Sequence, residues 1–370
     1  MKGNVIFVVD NLSSPRCIKR IKAFYDEGFS VKVYGYDRGK NLNNQLPQQI
    51  EPIVLGKITN GKGYLLRAFN MRRDIKRIIK ENINTNSMYY SFGFISSLLF
   101  SLSKVPYIYE ISDIRYGSYK KFIPVIGLFK RIDRRTIKKS LATVMTSGGF
   151  KDFLGSNKNE IYLIPNKINP ALLNYERSTV KKSKEGIRFA FVGSIRYQSI
   201  IRFAKVIGDC YPQYSFSFYG SALQGIKEEC EKLAEQYDNV FYRGPFHNPE
   251  DLPGIYKDID VVISSYDINT LNERIAEPNK LYESIFFCRP IVVSQNTYLS
   301  KQVEKYHCGF SIDATNETSI KRFIDYIKKE KIEEYSSAEY VIPVSELIDE
   351  TRQVIGNIKR FQLLEYGQTC

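Results

Sequence analysis

Glu277-Pro278-Asn279-Lys280-Leu281-Tyr282-Glu283, followed by Arg289-Pro290-Ile291-Val292-Val293-Ser294, is the stretch whose reading decides the fold. Proline fixes φ and gives up no needed donor at the first helical position, so Pro278 predicts a helix start. Lys280 and Glu283 then share one helical face, while Leu281, Ile285 and Cys288 form an apolar one. Free backbone N–H groups and a cation at the helix start, with a carboxylate one turn deeper, suit the phosphates and ribose diol of a nucleoside diphosphate. An exposed Lys–Glu pair on an ordinary helix fits the same spacing, which leaves both readings open. The second run predicts a buried strand after that helix.

The surroundings are those of a folded protein large enough for two cores. The chain has 370 residues, 43% hydrophobic and 25% charged. Its six cysteines lack metal-ligand spacing and it has only two histidines, which argues against zinc and against a Ser–His–Asp apparatus. Reduced cytosolic thiols are expected. The opening run Val5–Val9 is too short for a signal peptide core and predicts a first strand, and nothing approaches the roughly 20 apolar residues that span a bilayer.

Short apolar runs alternate with helical patterns along the whole chain. Strands are predicted at Val5–Asp10, Val31–Tyr36, Ile53–Leu55, Met88–Ser91, Tyr107–Glu110, Thr143–Thr146 and Ile161–Ile164. A second set follows at Arg188–Val192, Ser215–Tyr219, Val240–Tyr242, Val261–Ser264, Ile291–Ser294 and Gly309–Ile312. Helical spacing lies between them, near 15–27, 62–83, 94–103 and 118–140, then 197–208, 222–236, 250–257, 278–288, 298–306 and 317–329. Such alternation predicts parallel sheets covered on both faces. The polar, aperiodic stretch 174–186 reads as a linker, and Ser345 to about Leu364 has the spacing of a closing helix. Charge divides unevenly at the linker: residues 1–186 carry 33 Lys+Arg against 14 Asp+Glu, and residues 187–370 carry 21 against 26. A basic half joined to a mildly acidic one predicts that one domain faces an anionic surface or substrate.

On the residues Glu277 to Ser294, the chain resembles family 4 glycosyltransferases of the GT-B fold, in particular bacterial members that build surface polysaccharide. Glu283 matches the glutamate that holds the nucleotide ribose in that family. The family's other glutamate falls at Ile275 here, with Glu273 and Glu277 out of register. The resemblance implies two doubly wound Rossmann-like domains facing a central cleft, with a C-terminal helix crossing back to the first. On that reading 1–173 is the acceptor- and membrane-facing domain, 174–186 the linker, 187–344 the donor-binding domain and 345–370 the returning segment. The donor it implies is a UDP- or GDP-linked sugar serving as co-substrate, with no metal or other cofactor.

Two further segments carry the resemblance. Phe189-Ala190-Phe191-Val192-Gly193-Ser194-Ile195-Arg196 is a strand, a tight turn and a helix start, and Gly193 allows close backbone approach at the carboxyl end of a strand. It resembles the family's first donor-domain turn, so Gly193, Ser194, Arg196 and Arg202 join Glu277, Asn279, Lys280, Leu281 and Glu283 in the expected donor set. The family's usual lysine beyond the turn is Ser199 here. Tyr107–Ile114 resembles the strand that delivers a His-Asp pair, with Asp113 at the Asp and Ser112 at the His position. A serine can orient a sugar but cannot hold a proton charge as imidazole does. Arg196 and Lys280 are expected to carry the charge of the departing diphosphate, with Asp113 as the third catalytic candidate. Glu110 is expected to be structural or paired with a neighbouring arginine.

Ser13, Arg16 and Ser112 are the expected acceptor contacts, although Ser13 or Ser14 before Pro15 also reads as a simple N-cap. Ser147–Phe150 and Ile164–Lys167 match loops of the family cleft. Asp258-Ile259-Asp260 superficially matches a metal-binding triplet, but it leads straight into a strand, and a helix end explains it better. Between Arg115 and Lys139 there are nine basic residues and one acidic, with Lys120, Lys121, Phe122, Phe129, Lys130 and Arg131 placed to face a membrane. A basic helix at 62–83 supports this. Anionic lipid is therefore the expected surface partner, and nucleic acid is not, because no recognised nucleic-acid module accompanies the charge.

The expected activity is transfer of a sugar from a nucleoside diphosphate to a lipid-linked or saccharide acceptor. Retention of configuration and a cytoplasmic location at the inner face of the membrane are expected with it. A non-hydrolysing sugar-nucleotide epimerase and a catalytically degenerate partner subunit are the rivals.

Overall fold

A computed structural model of the protein describes residues 2–38, 46–57, 64–118, 120–155, 160–180, 186–352 and 354–356. The chain divides into two compact units, Met1–Ile164 with Glu350–Cys370, and Pro165–Asp349.

The first unit is built on seven strands: β1 (Lys2–Val9), β2 (Phe29–Asp37), β3 (Ile53–Lys57), β4 (Ser87–Phe92), β5 (Tyr107–Ile111), β6 (Ala142–Met145) and β7 (Ile161–Leu163). They pair in parallel in the order β3-β2-β1-β4-β5-β6-β7. Its helices are α1 (Pro15–Asp26), α2 (Tyr64–Glu81), α3 (Phe94–Ser103), α4 (Ile126–Lys139) and α5 (Gly148–Leu154). Every residue of β4, β5 and β6 is buried, as a parallel sheet covered on both faces requires. That burial is why these strands are mainly apolar rather than alternating, with Ser87, Ser91, Glu110 and Thr143 as their buried polar residues. The edge strands β3 and β7 are exceptions, with Val54 51% and Leu163 40% exposed.

The second unit repeats the plan with β8 (Arg188–Val192), β9 (Ser215–Tyr219), β10 (Val240–Gly244), β11 (Val261–Ser264), β12 (Ile291–Ser294) and β13 (Gly309–Ile312). The order is β10-β9-β8-β11-β12-β13, again all parallel. Around it lie α6 (Gln198–Cys210), α7 (Ile226–Gln236), α8 (Leu252–Lys257), α9 (Leu271–Ile275), α10 (Lys280–Phe287), α11 (Tyr298–Tyr306), α12 (Glu317–Tyr326) and α13 (Lys329–Tyr340). Each sheet reverses its strand order once, between β1 and β4 and between β8 and β11, the point where open α/β sheets leave a crevice at their carboxyl edge.

All thirteen expected strands are present within a few residues of their sequence bounds. Three helices were not legible: α5, α9 and α13. The Ser147–Phe150 segment is not a loop. Ser147 caps α5 by accepting from the Gly149 N–H at 3.1 Å, and the glycines are its first turn.

In the stretch read as a linker, of which 181–185 lie outside the described residues, Arg177 and Val180 are anchored. Arg177 donates to the carbonyls of Phe286, Ile342 and Glu339 at 3.1, 2.9 and 2.5 Å, and the Val180 N–H donates to Ser336 Oγ at 2.8 Å. The division between units falls instead at Ile164 and Pro165. At the far end Val354 and Ile355 join the first unit's core, and Arg20 donates to Thr351. The rest of the closing segment, 357–370, lies outside the described residues.

Each unit holds an ion pair of its own. Glu110 is fully buried and accepts from Arg20 Nε at 3.0 Å and from the Tyr90 hydroxyl at 2.5 Å, which is the structural role expected of it. Asp260 accepts from the Arg188 backbone and both arms of its guanidinium at 2.8–3.1 Å. That carboxylate is spent on holding β11 to β8, so the triplet around it is a strand start. Among the described residues, no helix is long and apolar enough to cross a membrane, and no cluster of three His, Cys, Asp or Glu could hold a metal ion.

Candidate functional site

Three neighbouring strands of the second sheet end on glycine. Gly193 follows β8, Gly220 follows β9, and Gly244 closes β10. The Gly193 N–H donates to the Tyr219 carbonyl at 2.8 Å, and the Gly220 N–H to the Gly244 carbonyl at 2.7 Å. Gly193 and Gly220 both hold φ near +137°, a region that side chains rarely adopt. A Cβ on Gly220 would stand 1.8 Å from the Gly193 carbonyl oxygen, so the two backbones touch where any other residue would part them.

Lys280 occupies the space this leaves. A Cβ on Gly193 would fall 2.6 Å from its Nζ, so the ammonium rests on the bare Cα of the β8 turn. The same Nζ lies 5.0 Å from the centre of the Phe191 ring, in cation–π range. Burial pushes the Lys280 pKa down to about 8; the Glu283 carboxylate opposes the shift and the Arg196 guanidinium adds to it. Lys280, Arg196, Glu283 and Gly193 therefore form one group at the carboxyl end of β8.

The lowered pKa carries a testable consequence. Between about 8 and the ordinary lysine value of 10.5 the unfolded chain binds a proton that the folded one has released. Stability contributed by this group therefore rises with pH across that window and is flat below it. Urea denaturation below and inside the window should show the wild type gaining on Lys280→Met, and a constant gap between the two would refute it.

Glu283 is 5% exposed. Its Oε1 accepts from Asn279 Nδ2 at 2.6 Å and its Oε2 from the Tyr256 hydroxyl at 3.2 Å. Burial raises its pKa, while Lys280 and hydrogen bonds from Tyr256, Asn248 and Asn279 pull it back. A carboxylate has lone pairs to spare beyond these donors, so a diol can still bind it. Asn279 is thus part of the group, acting through Glu283.

Arg196 is exposed, and its Nε donates to the Tyr197 hydroxyl at 3.0 Å. The Tyr197 ring packs on Tyr266 with centres 4.4 Å apart. Tyr266 is pinned in turn: its N–H donates to Ser294 Oγ at 2.8 Å, and that hydroxyl donates back to its carbonyl at 2.6 Å. Sequence reading missed Tyr197, Tyr256, Tyr266 and Asn248, which carry no spacing signal. Gly220 and Gly244 were detectable, because each stands at the end of a predicted strand.

Several expectations need correction. The helix begins at Lys280 rather than Pro278, and the N–H groups of Leu281, Tyr282 and Glu283 are taken by the carbonyls of Pro278 and Asn279 at 3.0–3.2 Å. The cation, not the helix end, is what this corner offers an anion. Leu281 is fully buried in the core and presents no side chain to a ligand. Glu277 accepts from the Tyr282 hydroxyl and sits with Tyr282 and Tyr306 rather than with Lys280. Arg202 Nη1 donates to the Ala314 carbonyl at 2.8 Å, where it braces the turn after β13. Ser199 is buried and donates to the Ser265 carbonyl at 2.9 Å. The start of α6 is already filled by Asp267, which accepts from the N–H groups of Gln198 and Ser199 at 3.0 and 2.7 Å. Ser194 is exposed beside Gly193.

In the first unit, Ser112 and Asp113 follow β5, the former half-buried and the latter exposed. Arg16 Nε lies 3.6 Å from Glu110, and the Ser13 N–H donates to Asn11 Oδ1 at 3.2 Å. The Ser14 side chain makes no capping bond to α1. Asp10, at the end of β1, draws in both Arg38, at 3.2 Å, and Arg115, a pairing the sequence did not suggest. Of the six residues expected to face a membrane, the side chains of Lys120, Lys121 and Phe122 lie outside the described residues. Phe129 faces inward, stacked on Tyr116 with ring centres 5.4 Å apart. Lys130 Nζ lies 4.6 Å from the Phe153 ring centre, and Arg131 is exposed.

No protein-family model matches the sequence, and no curated protein matches it. Solved structures do match. HepE of Anabaena in complex with UDP superposes with a TM-score of 0.66 at 13% identity, covering 97% of this chain and 99% of HepE. Sucrose-phosphate synthase from Thermosynechococcus elongatus gives 0.71 at 14%, covering 98% and 100%. A Listeria monocytogenes protein assigned as a UDP-N-acetylglucosamine 2-epimerase gives 0.62 at 12%, covering 91% of each chain. The two-sheet arrangement is that of the GT-B fold. Identity this low shows the fold alone, and the same fold serves neighbours with different chemistry.

Proposed function

We propose that the protein transfers a sugar, with retention, from a UDP- or GDP-linked donor to a lipid-linked or saccharide acceptor in surface polysaccharide assembly. The observation that carries this reading is the seat of Lys280 on the bare Gly193 turn, with Arg196 and Glu283 in electrostatic reach. Lys280 and Arg196 take the two negative groups of the diphosphate, and Glu283 accepts from the ribose hydroxyls. The bond from the anomeric carbon to the diphosphate breaks as the bond to the acceptor oxygen forms on the same face. The acceptor's proton passes to the departing phosphate oxygen. The protein's part is charge stabilisation of the leaving group, which preorganised cations supply without a nucleophile. Asp113, Ser112, Ser13 and Arg16 of the first unit are proposed for the acceptor, at the inner face of a membrane. Gly193, Ser194 and Asn279 complete the proposed donor set.

The epimerase reading is favoured by the likeness to the Listeria protein and needs acid and base groups at the sugar carbons. Glu283, the carboxylate nearest Lys280, is instead engaged by Asn279 and Tyr256. The deciding experiment is a thermal-shift screen of uridine and guanosine diphosphate sugars, followed by turnover of whichever donor stabilises the fold. Transfer only when an acceptor is present supports the proposal. Conversion of the donor to an epimer without acceptor replaces it, and tight binding with no turnover across a broad acceptor panel makes the chain a binding subunit.

A further inference from the structure

Asp133 of α4 is 1% exposed, and both of its oxygens are engaged. Its Oδ1 accepts from the Tyr109 hydroxyl and its Oδ2 from the Tyr116 hydroxyl, each at 2.9 Å. Burial pushes its pKa up to about 7, and the Tyr116 and Tyr109 hydroxyls pull it back. Keeping an acid among aromatic rings costs stability that an apolar side chain of similar volume would not. The rings are well packed without it: Tyr116 stacks on Phe129 and meets Phe94 edge-on, with centres 5.4 Å apart in both cases. What the carboxylate adds is geometry, because its two oxygens fix two phenols at once.

The two phenols stand on either side of one loop. Tyr109 lies within β5, and Tyr116 lies in the short 3₁₀ turn Arg115–Ser118. Tyr109 is held several times over: β5 pairs with β4 and with β6, and Tyr107, two residues earlier on the same face, donates to the Thr136 carbonyl of α4. The near end of the loop is tied to β6, where the Thr146 N–H donates to the Ile111 carbonyl at 3.1 Å. The far end turns through a bond from the Gly117 N–H to the Ile114 carbonyl at 2.7 Å, and Tyr116 carries it back to Asp133. Between the ends lie Ser112, half-buried, Asp113, exposed, and Arg115, which reaches across to Asp10.

We propose that Asp133 is a positioning residue for the acceptor: by clasping Tyr116 and Tyr109 together it sets where the loop between them presents Ser112 and Asp113. The inference rests on the acceptor role proposed above for those two residues and not on the donor site. The phenol within the strand is redundant, since the sheet holds β5 whether or not Tyr109 donates. The phenol beyond the loop is not, since Tyr116 joins the far end of the loop to the carboxylate. The two hydroxyls therefore differ in function although they reach the same acid at the same distance. A purely structural acid would make them equivalent.

The test compares Tyr116→Phe, Tyr109→Phe and Asp133→Asn in the full chain. Each phenylalanine removes one donor from the same carboxylate, so those two variants should lose similar stability in urea. Transfer is measured from the sugar nucleotide that stabilises the fold to octyl glucoside, or to the first acceptor of the panel that turns over. In Tyr116→Phe the acceptor KM is expected to rise about tenfold, with turnover at saturating acceptor and the donor-induced thermal shift unchanged. Amide hydrogen exchange over residues 112–117 should quicken in that variant alone. Tyr109→Phe should keep the wild-type acceptor KM. Asp133→Asn should keep it as well, because the amide oxygen accepts from one phenol while the amide N–H donates to the other. Equal KM changes in the two phenylalanine variants, an unchanged KM in Tyr116→Phe, or a KM in Asp133→Asn as high as in Tyr116→Phe overturns the proposal and leaves the transferase reading standing. No transfer by the wild type to any acceptor of the panel removes the transferase reading and this inference with it.

Discussion

Lys280→Met is expected to lower sugar transfer by about two to three orders of magnitude while leaving the fold intact, because one preorganised cation at a leaving group is worth roughly that much. The methionine keeps the length of the stem, so the contact with the Gly193 turn and the Phe191 ring survives without the charge. The loss should fall on turnover at saturating donor, since the negative charge to be stabilised grows as the diphosphate departs. Stability should hold or rise at neutral pH, because the substitution removes a cation whose burial already drives its pKa down to about 8. Transfer within a few fold of wild type would mean that no diphosphate rests there. A collapse in stability would mean that the residue is structural. Lys280→Arg should rescue only in part, because a planar guanidinium does not place its charge where the compact ammonium rests on Gly193.

Gly220→Ala is expected to cost about 3 kcal/mol or more and to abolish donor binding with it. The new methyl would stand 1.8 Å from the Gly193 carbonyl oxygen and 2.7 Å from its carbon, and both are backbone atoms that cannot rotate away. The φ of +137° adds strain of its own. Relief requires the β8 and β9 turns to part, and the β8 turn is the surface on which Lys280 rests. Gly254→Ala is the control: it lies in α8 with open space around it, and alanine favours a helix over glycine by up to about 1 kcal/mol. Urea denaturation of the two variants decides the matter. A Gly220 variant as stable as wild type would show that the turns do not touch as described.

The pattern of strands was legible because parallel strands buried on both faces must be mainly apolar, and β4, β5, β11 and β12 are, with Ser91 and the paired Glu110 among the few buried polar exceptions. The core of the candidate site was legible for a similar reason. Lys280 and Glu283 are one helical turn apart, and Gly193 ends a strand, so local spacing alone brings the charge pair and the bare turn into view. What surrounds them was not. Tyr256, Asn248 and Tyr266 reach the site from loops and helices distant in sequence, and no spacing marks them. Asp267 closes the α6 terminus, Arg202 turns to brace Ala314, and Glu277 turns to Tyr282. In each case a polar side chain found a buried partner, and such partners are set by long-range packing.

Helix α3 marks the boundary most sharply. Its sequence determines that Ile95, Leu98, Leu99 and Leu102 share one face and Ser97 and Ser101 another, because 3.6 residues per turn leave no other arrangement. By the ordinary rule the leucines would be buried. The tertiary structure instead leaves Leu102 66% exposed and Ile95, Leu98 and Leu99 half-buried, with Ser91 on β4 hydrogen-bonded to Ser96 and Ser97 beneath the helix and α2 and α4 on its flanks. Periodicity sorts residues onto faces. The rotation of those faces about the helix axis is chosen by the neighbours the helix meets once the sheet has formed.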